Sequence, residues 1–340
     1  MSPRISRRGF VAGLGVVAAS TALSRRAAGA WRTLTADPGP RLAPLRAEVP
    51  PGLLYPPLDL SYFDKPISPA PAEFHLGYAS ITWGGEDKQA IEDIASLGFS
   101  GIQLRSNVIA EFGSVGELKE LLQKHRLTFV ALSSGGVRID PGVAAEDLAK
   151  HAANAKFVHD AGGLYLQVTD QRPKNRATTA DDCKKLGRLL TEVGKRAADL
   201  GIALGYHNHM GTLGEKPEDV DRILDSADPR YVKLELDVAH YLQGGGDPAK
   251  AIDSHHDRLL FLHIKDVEVI DPPANGKNYR FVELGRGRVD FPAIFAALKR
   301  VNFRGWTVVE LDAVTDKART PKESAMISKT YLEEKLGLRV

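Results

Sequence analysis

Eight short apolar strands alternating with helical segments over about 260 residues predict an α/β fold, a single (β/α)8 barrel. Four consecutive strand candidates each end in an ionisable or ligand-type side chain: His207, Asp237, His263 and Glu310. Those ends converge on one point only if the sheet closes, which favours the barrel over a doubly wound open sheet. Glycines just before strands, at Gly98, Gly201 and Gly305, mark helix ends of the left-handed C′ type.

In chain order the strands are expected over 74–79, 101–104, 128–132, 164–168, 202–206, 232–236, 259–263 and 306–310. Each is a short apolar run of the length a buried parallel strand needs. The clearest helix carries Leu186, Leu189, Leu190, Val193, Ala197 and Leu200 at three- and four-residue spacing, one apolar stripe. Ile294, Ala297 and Leu298 repeat the pattern more briefly.

Two segments precede the barrel, which is expected over 74–340. Residues 1–30 run from Ser6-Arg7-Arg8-Gly9-Phe10-Val11 through a weakly apolar stretch to Ala28-Gly29-Ala30. A basic start, a short apolar centre and a small-residue cleavage site make an export signal, and the paired arginines resemble the twin-arginine type. The expected location is periplasmic or otherwise exported, with no membrane span in the mature protein. Residues 31–73 hold ten prolines and read as a linker or arm.

The signal also changes the charge. The chain has 45 basic against 43 acidic residues, but residues 1–30 contain five arginines and no acids. Without them the count is 40 against 43, about −3 net. No basic footprint is left for nucleic acid as a partner. The single cysteine, Cys183, excludes an intrachain disulfide and any CxxC site.

The run Tyr206-His207-Asn208-His209-Met210 puts two histidines on one side of a strand end, because side chains alternate faces. His207, Asp237, His263 and Glu310 supply two imidazoles and two carboxylates, a donor set suited to one divalent ion: Mn, Co, Zn or Fe. Glu235 shares the parity of Asp237 and reads as a partner orienting a ligand histidine. Trp83 could floor a sugar ring or simply pack. Arg105 and Gln103 end strand two and Gln167 and Asp170 end strand four, all candidates for substrate hydroxyls. His255-His256 reads as surface, and Gly285-Arg286-Gly287-Arg288 as a loop turn rather than a phosphate cradle.

Taken together, Tyr206-His207-Asn208-His209, Glu235-Leu236-Asp237, Gly245-Gly246-Asp247-Pro248, His263-Ile264-Lys265-Asp266, the Leu284–Phe291 run and Glu310-Leu311-Asp312 resemble the xylose-isomerase-like TIM barrels. These are often called the sugar phosphate isomerase/epimerase group. The resemblance covers about residues 74–336, and the Tyr-His-Asn-His-Met-Gly-Thr run is similar to the inosose dehydratase branch. It implies a small carbohydrate substrate (a sugar, keto-sugar or keto-glycoside), one divalent ion, and Asp237, His263 and Glu310 as ligands. Sugar epimerases of the group carry Glu where this chain has His207, and use two metal-bound glutamates as opposed bases. The departure puts symmetrical epimerisation in doubt and leaves a lyase or dehydratase less affected.

The implied chemistry removes a proton next to a carbonyl, with Glu310, His209 and Lys265 as candidate catalytic groups and Trp83, Arg105 and His240 as candidate substrate contacts. Elimination and isomerisation both stay open, and phosphorylated sugars suit an exported protein poorly. A non-catalytic sugar-binding barrel is opposed by the intact Asp237/His263/Glu310 set. A metal-dependent phosphodiesterase needs more His and Glu ligands and a basic face.

Overall fold

A computed structural model describes residues 71–340; the expected export signal and nearly all of the Pro-rich segment lie outside the described residues. Eight parallel strands close into a barrel, and an antiparallel hairpin is added to it. The barrel strands are β1 (Glu73–Ala79), β2 (Gly101–Arg105), β3 (Thr128–Arg138), β4 (Tyr165–Gln171), β5 (Ala203–His207), β6 (Val232–Asp237), β7 (Leu259–Ile264) and β10 (Arg304–Val309). Each successive pair is hydrogen-bonded, and β10 pairs with β1 to complete the ring.

The predicted helical stripe is present in the helix Ala180–Ala198, where Leu186, Leu190, Val193 and Ala197 are buried. A capping box of Thr179 and Asp182 satisfies its first amides. Gly98 and Gly201 have the expected positive φ, but Gly305 lies inside β10. The left-handed residue at that helix end is Asn302, at φ 54°, a conformation asparagine tolerates better than most side chains.

Two strands run three or more residues past their expected ends. β3 continues to Arg138 across an irregularity near Gly135, and there pairs with the end of β4. The hairpin, β8 (Asp266–Ala274) and β9 (Lys277–Val282), has no counterpart among the expected strands. Its tip is Asn275-Gly276, both at positive φ, the residues a tight hairpin turn favours.

The barrel interior is graded from apolar to polar. At the N-terminal end Trp306, Phe261, Val308 and Val130 pack together, with Tyr165 stacked on Phe261 at 5.3 Å. A Cβ on Gly101 would sit 2.2 Å from the Trp306 ring, so this position must be glycine for the indole to fill the barrel. At the C-terminal end the inward side chains are Glu235, Asp237, His207 and His263, all buried. Among the described residues no helix is long and apolar enough to cross a membrane.

Candidate active site

The strand register sets the heights of the candidate ligands. Asp237 pairs with His263, and His263 with Val308. His207, however, pairs with Glu235, one inward residue below Asp237. The four side chains read from sequence as one set therefore fall into two overlapping groups. Asp237, His263 and Glu310 present donor atoms within 4.8 Å of one another, and so do His207, Glu235 and His263.

Asp237 and His263 of the first group are each held by one atom and free at another. The Oδ1 of Asp237 accepts the backbone N–H of His240 at 2.8 Å, capping the short helix Val238–Gln243. Its Oδ2 is buried without a hydrogen-bond partner. The Asn208 amide brackets the same residue, accepting from Asp237 N at 2.9 Å and donating to Asp237 O at 3.2 Å. On His263, Nε2 lies 2.7 Å from both Glu235 Oε1 and Gln103 Oε1. That face donates, which leaves Nδ1 directed at Glu310 Oε2 (3.1 Å) and Asp237 Oδ2 (3.7 Å). Nδ1 too lacks a hydrogen-bond partner.

Burial opposes charge on His263, but Glu235 and Glu310 hold its pKa well above the ordinary histidine range. Burial likewise opposes ionisation of Glu310, and the His263 and Lys265 charges hold its carboxyl well below the usual range. The pocket therefore stabilises a positive charge between these side chains, whether a proton or a cation. Two orphaned polar atoms facing a carboxylate at a strand-end mouth fit the donor set of a divalent ion.

Lys265 lies beside the group, fully buried, with Nζ against Glu310 Oε2, 2.7 Å from Asp312 Oδ1 and 3.5 Å from Asp237 Oδ2. Burial works against its charge, but Asp312, Glu310 and Asp237 hold its pKa well above the ordinary range. Lys265 is an ammonium, and the candidate role of base falls away from it.

His209 and His240 lie 3.8 Å apart, tilted by 39°, and Met210 engages both through its own backbone N–H and C=O. His209 Nδ1 lies 2.6 Å from Met210 O and must donate, so its Nε2 keeps the lone pair. His240 faces donors on both sides, Met210 N at 3.2 Å from Nδ1 and the Lys265 ammonium at 3.3 Å from Nε2. Burial, helped by neighbouring positive groups, lowers the pKa of both rings, so both are neutral. His207, His209 and His240 also offer atoms within 4.8 Å of one another, but those two donors already face both nitrogens of His240.

The remaining candidates are placed as follows. Trp83 is buried, T-shaped against Tyr78, with its indole N–H on Asp93 at 2.9 Å; its faces belong to the core, not to a sugar. Arg105 is exposed at the end of β2. Gln167 lies under the site, 3.5 Å from Glu235. Asp170 accepts from Tyr206 OH and Leu213 N, tying β4 to the segment after β5. His256 is exposed. His255, only 15% exposed at its side chain, pairs with Asp221.

The glycine-rich run wraps an internal anion. Asp266 accepts the N–H groups of Val267, Gly285, Gly287 and Val289. A Cβ on Gly287 would lie 2.3 Å from Asp266 Oδ1.

Two residues without a role in the sequence reading complete the site: Asp312 on Lys265, and Phe281 of β9. The Phe281 ring lies 4.6 Å from Lys265 Nζ and 4.7 Å from the His240 ring. The Asn-Gly turn was the available signal for the hairpin that delivers Phe281.

Residues 91–331 match the family described as xylose isomerase-like TIM barrel. The chain belongs to this family. Among curated relatives, an inosose dehydratase of Lacticaseibacillus casei is 26% identical over 295 residues, covering 77% of this chain and 97% of its own. The inosose dehydratase of Geobacillus kaustophilus is 27% identical over 303 residues, covering 79% and 96%. A crystal structure of IolI protein with a binding zinc atom superposes with a TM-score of 0.65 at 18% identity, covering 76% of this chain and 97% of that one. At that identity the likeness shows the fold.

Proposed function

We propose that this carbohydrate-processing enzyme eliminates a β-oxygen substituent from a sugar bearing a carbonyl, as a dehydratase does. The observation that carries the reading is a pair of groups of opposite kind beside each other: His209, whose Nδ1 donates to Met210 O and leaves Nε2 free to accept, and the Lys265 ammonium, which faces the neighbouring His240 and can donate. Elimination needs that pair: a base for the proton α to the carbonyl and an acid for the departing oxygen. The inosose dehydratase relatives support the same reaction class.

Asp237, His263 and Glu310 would hold the ion, with His207 the nearest further imidazole, its ring centroid 4.9 Å from that of His263. When bound, such an ion supplies Lewis-acid polarisation of a substrate carbonyl. His209 Nε2 accepts the α-proton, and the electron pair of that C–H bond becomes the new C=C bond as the β C–O bond breaks. The departing oxygen takes its proton from the Lys265 ammonium, which Glu310 and Asp312 keep charged until that transfer. His240, with Nε2 3.3 Å from Lys265 Nζ, positions that group. Glu235 keeps His263 turned with Nδ1 outward.

Incubating the metal-loaded protein with an inosose in deuterated water tests this. Loss of one water with appearance of an enone absorbance is expected. Deuterium entering a product of unchanged composition and inverted configuration would mean epimerisation. No exchange and no product would overturn proton abstraction altogether.

The reading includes export by the twin-arginine route, on the strength of Arg7-Arg8 and the run that follows. Replacing Arg7→Lys and Arg8→Lys together should leave the protein in the cytoplasmic fraction.

A further inference from the structure

Beside the catalytic group lies a groove of about 410 Å³ between the hairpin and the segment after β10. That volume is within the range of small-molecule sites, roughly 300–1,000 Å³. Two of its lining residues are already part of the candidate active site. Phe281 meets His240 edge to face and lies under Lys265 Nζ, and Asp312 bonds Lys265. The groove is thus an extension of the reaction centre, not a separate depression.

The hairpin turns one face of β9 toward it. Residues 277, 279 and 281 share one side of the strand by alternation, and all three line the groove. Tyr279 and Phe281 meet edge to face at 5.6 Å, and Ile270 and Val314 add apolar surface. The three charged lining residues are each engaged with a neighbour: Lys277 over the Tyr279 ring at 5.6 Å, Arg280 with Glu268 and Asp312 with Lys265. What is left to a ligand is mainly aromatic and apolar, with Asn275 and Thr315 as neutral hydrogen-bonding groups. Such a surface suits the flat face of an uncharged ring rather than a phosphate.

We propose that this groove binds a second ring, sugar or aryl, carried by the reacting sugar, so that the substrate is a keto-glycoside rather than a free monosaccharide. The inference rests on the elimination reading above. It makes Tyr279 and Phe281 specificity determinants, delivered by a hairpin that the barrel itself does not require.

The test compares kcat/KM for a keto-hexose and for its phenyl glycoside, in the wild type, in Tyr279→Ala and in Thr315→Trp, which fills the groove. Wild type should prefer the glycoside by at least about tenfold, the discrimination one well-packed apolar group supplies. Both variants should bring that ratio close to one. A ratio near one in the wild type, or a preference that survives in both variants, overturns the groove. Calorimetry with phenyl β-D-glucopyranoside separates the two readings. Binding that Thr315→Trp abolishes, in a protein inactive on both ketones, keeps the groove and sinks the elimination. Absence of both binding and turnover sinks both.

Discussion

Two histidines in this barrel are completely buried, and their surroundings differ in kind. His151, in the helix Ala144–Ala161, bonds Ser134 Oγ through Nδ1 at 2.6 Å, and Asn154 donates to the same hydroxyl at 2.8 Å. His263 lies among Glu235, Asp237 and Glu310. Each ring has one nitrogen without a hydrogen-bond partner. Burial drives the His151 pKa down to about 4, whereas carboxylates drive that of His263 up. An orphaned nitrogen alone therefore does not mark a site. At His263 a second orphan, Asp237 Oδ2, and the Glu310 carboxylate face the same point; at His151 the hydrogen-bond partner is a neutral hydroxyl.

The sharpest way to break this contrast is to remove a converging atom. Asp237→Asn should lower bound metal from near stoichiometric to background and cut turnover by at least about 100-fold, read by elemental analysis and kcat/KM. His151→Asn should do neither. If both variants lose metal equally, convergence is not what distinguishes the two histidines.

Glu235→Gln comes next, since it alters the group behind His263 and not the converging atoms. Metal affinity is expected to fall about 10- to 100-fold with the fold retained, measured by competition with a chelator.

A third effect separates the two rings by pH. The unfolded chain binds a proton at His151 near the ordinary 6.5, the folded chain only near 4. Between those values the unfolded state holds more protons, so stability is full above the window and declines as pH falls through it. The decline is about 3 kcal/mol, readable by urea denaturation across pH 4 to 7 and absent in His151→Asn. His263 in metal-stripped protein has the opposite sign: its contribution is present below the ordinary histidine range and is lost as pH rises above it.

The smallest expected effect is at the glycine-wrapped carboxylate. Gly287→Ala pushes a methyl group against Asp266 and should cost about 1–3 kcal/mol, with metal content unchanged.

Much of this was legible in the chain. Every barrel strand followed from short apolar runs, and the ionisable strand ends converge as closure requires. What escaped has physical reasons. His207 sits beside Glu235 rather than Asp237 because register, which no single strand encodes, sets relative height. Trp83 looked available to a sugar, yet its partner Asp93 lies ten residues on, across a turn of unreadable geometry. Phe281 reaches Lys265 only because the chain reverses at Asn275-Gly276, a two-residue turn easily passed over between strands of mixed polarity. The hydrogen bonds of Met210 to the two rings are invisible in sequence altogether, since they are made by backbone atoms common to all residues.

The apolar packing of Trp306, Phe261 and Tyr165 has a kinetic consequence. It stoppers one end of the barrel, so whatever enters the site and whatever leaves it share a single doorway. Traffic through one doorway is sequential: a lingering product excludes the next substrate. Product inhibition should accordingly be purely competitive, and overall pace set by departure whenever the chemistry is fast.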